Sequence, residues 1–188
     1  GDHGWKLGEH GSWCKHTNFE IDARAPLIVR APGAAGGRRS EALVEFVDIY
    51  PTLCELCELP LPRHLEGRSL VPLLSDPQRP WKQAAFSQYP RGGVMGYAMR
   101  TGRYRYVEWR DGATGELKDR ELYDHQSDPQ ENVNAASRPE NAEAVRRLSQ
   151  TLQESWPGPQ RVTQPRWATR RADTRPRGQA GPATNRPR

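Results

Sequence analysis

The sequence predicts an α/β chain: a strand and a helix first, then a small antiparallel sheet closed by a C-terminal helix. Three observations predict this. Ala25-Pro-Leu-Ile-Val-Arg30 is a short, β-branched apolar run ended by Pro32-Gly33, the pattern of a buried strand. Between residues 84 and 123, strand-like runs alternate with turn dipeptides. Val145, Leu148, Leu152 and Trp156 then recur at helical spacing and share one face.

Residues 1–20 contain four glycines and no periodicity, so a loop is expected there. The strand over 25–30 follows. Asp48 can cap a helix running to about Glu58 and ending before Pro60, with Pro51 in the first turn, where its missing N–H costs nothing. Residues 60–83 read as loop, anchored by the apolar Ser69-Leu-Val-Pro-Leu-Leu74. Candidate strands are Ala84–Gln88, Gly96–Arg100, Tyr104–Trp109 and Glu121–Tyr123, with Thr101-Gly102 and Asp111-Gly112 as turns. Ser137-Arg-Pro-Glu140 has the pattern of a capping box opening the last helix.

From Pro157 to Arg188 the composition changes. Eight arginines stand against the single acid Asp173, among many Pro, Gly, Thr and Gln, and the segment is expected to be disordered. Of the chain's 28 basic and 23 acidic residues, 20 and 22 then belong to residues 1–156. The basic isoelectric point of 9.4 is a property of the tail. A near-neutral domain argues against a specific nucleic-acid partner, and Trp167 is the tail's one aromatic residue; weak, salt-sensitive binding to an acidic polymer is what such a tail can offer. No apolar run has membrane-spanning length, so no membrane association is expected. Cys54 and Cys57 form a CxxC, but Leu53, Leu56 and Leu59 around it mark the apolar side of a helix, so packing is expected in place of metal or redox chemistry.

The densest chemistry lies in GDHGWKLGEHGSWCKHTNFE, residues 1–20. Asp2 and His3 can ligate one hard divalent cation if the backbone turns sharply, which Gly1 and Gly4 permit. Lys15 is a mobile ammonium suited to an anionic oxygen that the same cation grips. The same residues also suit an ordinary turn with a solvated lysine. Glu9 and His10 can add to the site or serve the loop itself.

This segment resembles the D-H-G-x-x-L-G-E-H-G-x-W-x-K-x-x-x-F-E motif of type I sulfatases, in the alkaline phosphatase-like superfamily, most of all the iduronate-2-sulfatase branch. Six collinear motifs extend the resemblance to about residue 155: APLIVRAPG, VDIYPTLCEL, LEGRSLVPLL, FSQYPR, MGYAMRTGRYRYVEW and ELYDHQSDPQENVNAA. The resemblance implies that residues 1–83 close a sulfatase α/β catalytic domain and 84–156 form a small α+β subdomain. Asp2 and His3 would be two ligands of a single Ca²⁺, and Lys15 would bind a sulfate oxygen. Trp5, His10, His16 and Arg91 would face the substrate, with Gln88 and Tyr89 on the same loop as Arg91. His64 and His125, as lone histidines, are expected to be structural or solvated. The substrate class implied is a sulfated carbohydrate or other sulfate ester, in a periplasmic or secreted setting. The family's nucleophile is a formylglycine made within C/S-x-P-x-R, a pentapeptide these 188 residues lack. It is expected upstream of Gly1, which makes the chain a C-terminal fragment, inactive by itself. The alternatives are a phosphodiesterase of the same superfamily and a non-catalytic fragment with a basic binding tail.

Overall fold

The computed structural model describes residues 1–156, and the Arg/Pro-rich segment expected to be disordered lies outside them. Its centre is a four-stranded antiparallel meander: β3 (Ala84–Arg91), β4 (Val94–Thr101), β5 (Tyr104–Asp111) and β6 (Leu117–Asp124), neighbours in that order. All four expected strands are present and longer than the sequence suggested. β3 and β4 extend to Arg91 and Val94 because Gly92 and Gly93 adopt φ of 55° and 88°, the left-handed pair of a two-residue hairpin turn. β6 starts earlier than expected, at Leu117, because its first half pairs with β5 although Lys118-Asp119-Arg120 is exposed and shows no apolar alternation in the sequence.

The register aligns Phe86, Met99, Tyr106 and Leu122 across one face. The last helix, α4 (Ala142–Ser155), lays Leu148 and Leu152 on that row, flanked by Val145 and Trp156, as the spacing predicted. Trp156 meets Phe86 and Tyr97 edge-on, at ring-centroid distances of 5.8 and 5.4 Å. Beside this core the buried Glu108 carboxylate accepts from Ser149 Oγ at 2.6 Å and Tyr106 Oη at 3.0 Å and pairs with Arg110. Burial, reinforced by Glu108, pushes the Tyr106 hydroxyl up to about 12.

Three expectations are corrected. Residues 25–30 form no strand: they pair with no strand among the described residues, and Ile28 is 92% exposed. Asp48 precedes α2 (Ile49–Leu56) without capping it with its side chain. Its buried carboxylate instead accepts from the Glu45 amide at 2.9 Å, the Arg68 amide at 2.7 Å and Lys82 Nζ at 2.6 Å. That ties the 65–82 loop, with its short helix α3 (Val71–Ser75), to α2. The Ser137–Glu140 capping box does not form, because Pro139–Asn141 makes a 3₁₀ turn that begins one residue too late for Ser137 to cap it. Cys54 is buried in α2, as packing requires, but Cys57 is exposed beyond it, and Leu53 and Leu59, expected on the apolar side, are exposed as well.

The second face of the sheet holds the N-terminal segment. His16 lies over Tyr89 of β3, ring centroids 5.8 Å apart. Asn18 Nδ2 donates to Gly96 O of β4 at 3.1 Å, and Phe19 lies 5.7 Å from Tyr123 of β6. Glu20, opening the short helix α1 (Glu20–Ala23), reaches Arg100 and Arg105. Gly96 makes this docking possible: a Cβ there would lie 2.5 Å from Asn18 Nδ2 and 2.7 Å from the Trp109 ring. Gly96→Ala is therefore expected to destabilise the fold by about 1–3 kcal/mol, read as a lowered urea midpoint with unchanged slope. A midpoint equal to wild type would mean that Asn18 and Trp109 yield freely.

Candidate functional site

The first seventeen residues form a loop closed by a minimal hairpin, β1 (Lys6–Leu7) against β2 (Trp13–Cys14). His10, Cys14 and His16 all adopt left-handed φ, at 55°, 68° and 87°. Such conformations persist only where surroundings enforce them, and they cluster at functional sites. Gly4 is required for space and not, as expected, for a sharp turn: its φ is not left-handed, and a Cβ would lie 1.6 Å from Ile21 O. The Gly4 amide in turn donates to Asp22 O at 2.8 Å.

This folding brings Asp2, His3 and Lys15 together. His3 Nδ1 lies 2.7 Å from Gly4 O, which can only accept, so the proton is assigned to Nδ1 and Nε2 presents its lone pair. Around that nitrogen converge Lys15 Nζ at 2.5 Å and Asp2 Oδ2 at 3.4 Å. Adjacent donors of a hard dication, each at 2.3–2.6 Å from it, stand about 3.4 Å apart at right angles. The Asp2–His3 separation of 3.4 Å thus fits one edge of such a coordination shell. An ammonium and a dication cannot both take the His3 lone pair, but the flexible stem of Lys15 allows its head to turn to an anion held beside the cation. Trp5 stacks along His3, ring centroids 6.1 Å apart, and is half exposed.

The other expected residues fall in two groups. His16, through Tyr89, lies at the β3–β4 hairpin that carries Arg91. Arg91, exposed and two residues beyond Tyr89, projects from the same side of the strand. Gln88, between Phe86 and Tyr89, belongs to the strand proper and not to a loop. His10 instead stacks flat on Phe19, centroids 3.8 Å apart and planes 6° from parallel, so its ring packs within the loop. Glu9 also serves the loop: the Leu7 amide donates to its carboxylate at 2.6 Å, and backbone amides hold its pKa below the usual range.

Two buried charge clusters have no sequence signature. Lys6, with no exposed surface, pairs with the buried Asp22. On the sheet, Arg105 bridges Glu20 and Glu131, and His125 Nε2 lies 2.7 Å from Glu131 Oε1, consistent with a structural His125. Glu20, His125 and Glu131 bring potential ligand atoms within 4.8 Å of one another, but the Arg105 guanidinium already supplies the positive charge among them.

Known proteins share this arrangement of chain. The family described as N-sulphoglucosamine sulphohydrolase, C-terminal, matches residues 8–156. A sulfatase of Formosa agariphila is 35% identical over 136 residues, covering 72% of this chain and 25% of that protein. Mouse iduronate 2-sulfatase is 34% identical, covering 57% and 31%. Among solved structures, a protein in complex with its substrate D-glucosamine-2-N,6-O-disulfate superposes with TM-score 0.73 at 30% identity, over 81% of this chain and 32% of that one. The phosphonate monoester hydrolase of Agrobacterium radiobacter gives TM-score 0.71 at 28% identity, over 81% and 33%. The chain thus spans about a quarter to a third of the length of the relatives it matches. With a family match from the hairpin to the end of the last helix, and the same meander and helix in its structural neighbours, this chain belongs to the sulfatases of the alkaline phosphatase-like fold.

Proposed function

We propose that this chain contributes the cation- and sulfate-gripping part of a sulfuric ester hydrolase of the iduronate-2-sulfatase type, acting on a sulfated saccharide. The observation that carries the reading is the convergence of the Asp2 carboxylate and the Lys15 ammonium on one nitrogen of His3. Asp2 and His3 would hold a single Ca²⁺, which supplies Lewis-acid polarisation of a sulfate oxygen. Lys15 would neutralise a second oxygen as charge develops on it. Trp5, His16, Tyr89 and Arg91 would face the sugar. The protein solved with D-glucosamine-2-N,6-O-disulfate supports a sulfated saccharide as the substrate class. Residues 1–83 would complete the catalytic α/β domain, and 84–156 would buttress it. The formylglycine nucleophile would come from outside these residues, leaving the isolated chain inactive, and the setting would be periplasmic or secreted.

A sulfate monoester carries one negative charge, and one dication with one ammonium balances the oxygens that share it. Phosphate monoesters draw on more metal charge and more ligands. The likeness to a phosphonate monoester hydrolase supports a second reading, a phosphoesterase on the same scaffold. Assay of the full natural polypeptide against an aryl sulfate and a bis-aryl phosphate separates them. Higher kcat/KM on the sulfate is expected, and preference for the phosphate would overturn the assignment.

A further inference from the structure

Of the first seventeen residues only one is buried, and it is a lysine. The β1–β2 ladder is two residue pairs long, and its apolar members Leu7 and Trp13 are 67% and 69% exposed. So short a two-stranded hairpin is marginal by itself, and no apolar anchor fastens it from within. Besides the stack of His10 on Phe19 at its tip, what fastens it is charge. Lys6 Nζ donates to Asp22 Oδ2 and, at 3.2 Å, to Thr17 Oγ1, while the Thr17 hydroxyl donates to the same carboxylate oxygen. The other carboxylate oxygen, Asp22 Oδ1, is buried and has no hydrogen-bond partner among the described residues.

The three residues sit on the arms that carry the candidate site. Lys6 ends the arm bearing Asp2 and His3, Thr17 follows the arm bearing Lys15, and Asp22 holds both, its carbonyl also accepting from the Gly4 amide. We propose that the Lys6–Asp22 pair, with Thr17, is a positioning latch that sets Asp2 and His3 against Lys15 without touching cation or substrate. The inference rests in part on the cation reading above. A buried ion pair contributes little to stability over an apolar pair of similar volume, whereas a specific register is what such a pair can supply. The latch therefore predicts a split between folding and site geometry.

The test compares Lys6→Met/Asp22→Leu with wild type in the full natural polypeptide. The double variant should keep its melting temperature within a few degrees. Its Ca²⁺ dissociation constant by titration calorimetry should rise about tenfold to a hundredfold, the range for residues that orient metal ligands. Hydrogen exchange should accelerate at amides 3–7 and 13–17. Leu152→Ala, in the distant helix–sheet core, should lower the melting temperature while leaving Ca²⁺ affinity in place, so a general loss of stability would not imitate the result. Should the double variant fail to fold, Thr17→Val should shift exchange and affinity in the same directions by smaller amounts. Unchanged exchange at those amides, or wild-type Ca²⁺ affinity in a folded double variant, overturns the latch. If wild type binds no Ca²⁺ that Asp2→Asn removes, the cation reading fails instead, and exchange alone decides the latch.

Discussion

Replacing Lys15 by alanine in the full natural polypeptide is expected to lower kcat/KM for a sulfate ester by about 10²–10³-fold, mostly through kcat. The physical reason is the timing of charge. Negative charge on the sulfuryl oxygens redistributes in the transition state, and an ammonium turned from His3 to an anion beside the proposed cation site would meet it. In the structure Lys15 Nζ is already 2.5 Å from His3 Nε2, so the side chain is gathered into the site. Lys15→Arg should restore little, because a planar fork cannot replace a compact point charge in the same space. Steady-state kinetics with an aryl sulfate checks this. An unchanged kcat in the alanine variant would place Lys15 outside the chemistry.

Arg105→Met is expected to produce the largest loss of stability, about 3–5 kcal/mol, because it strands charges in the interior. Arg105 is 2% exposed and donates through Nε to Glu131 Oε1 at 2.7 Å while pairing with Glu20 through its terminal nitrogen. Without it two carboxylates face each other, with only Arg100 and His125 to compensate. At about 2–4 °C per kcal/mol for a domain of this size, the melting temperature should fall by roughly 6–20 °C. Acidity should modulate the effect. Burial pushes the Glu20 carboxyl up, but Arg105 and Arg100 together outweigh it and hold the group below its ordinary value of 4.5. A depressed carboxyl stabilises the fold above its unfolded pKa, and that contribution is lost as pH falls through the folded value. The gap between variant and wild type should therefore be full near pH 7 and shrink below about pH 4.5. Thermal melts at both pH values test this, and a gap that widens in acid would assign the network a different role.

What could be read from the sequence divides by the range of the interactions. The last helix was legible because Val145, Leu148, Leu152 and Trp156 declare their face within twelve residues. The meander was legible from its turn dipeptides, except where Gly92-Gly93 prolonged a hairpin and where an edge half-strand carried only charges. The run at 25–30 displays its apolar character in the sequence, but whether such a run is covered depends on surfaces far from it in the chain. The residues proposed to hold cation and sulfate were legible only through the motif that contains them, since Asp-His between glycines is also an ordinary turn. Lys6 with Asp22, and Arg105 with Glu20, carried no signal at all. They are common charged residues 16 and 85 positions apart; the fold of the N-terminal segment makes the first pair, and its docking onto the sheet the second.

The two outer strands of the meander have a consequence for how copies of the molecule meet. Among the described residues no strand pairs the outer sides of β3 and β6, although Asn134 and Ala135 bond part of the β6 backbone and Glu45 takes the Phe86 amide of β3. Such a border invites another chain to add on and begin a fibril. Here β6 presents Lys118, Asp119 and Arg120 to solvent, and β3 carries Pro90, which has no N–H to offer. Bringing two such borders together would desolvate charges on one side and meet a missing donor on the other, so the same strands that support the candidate site also discourage self-association.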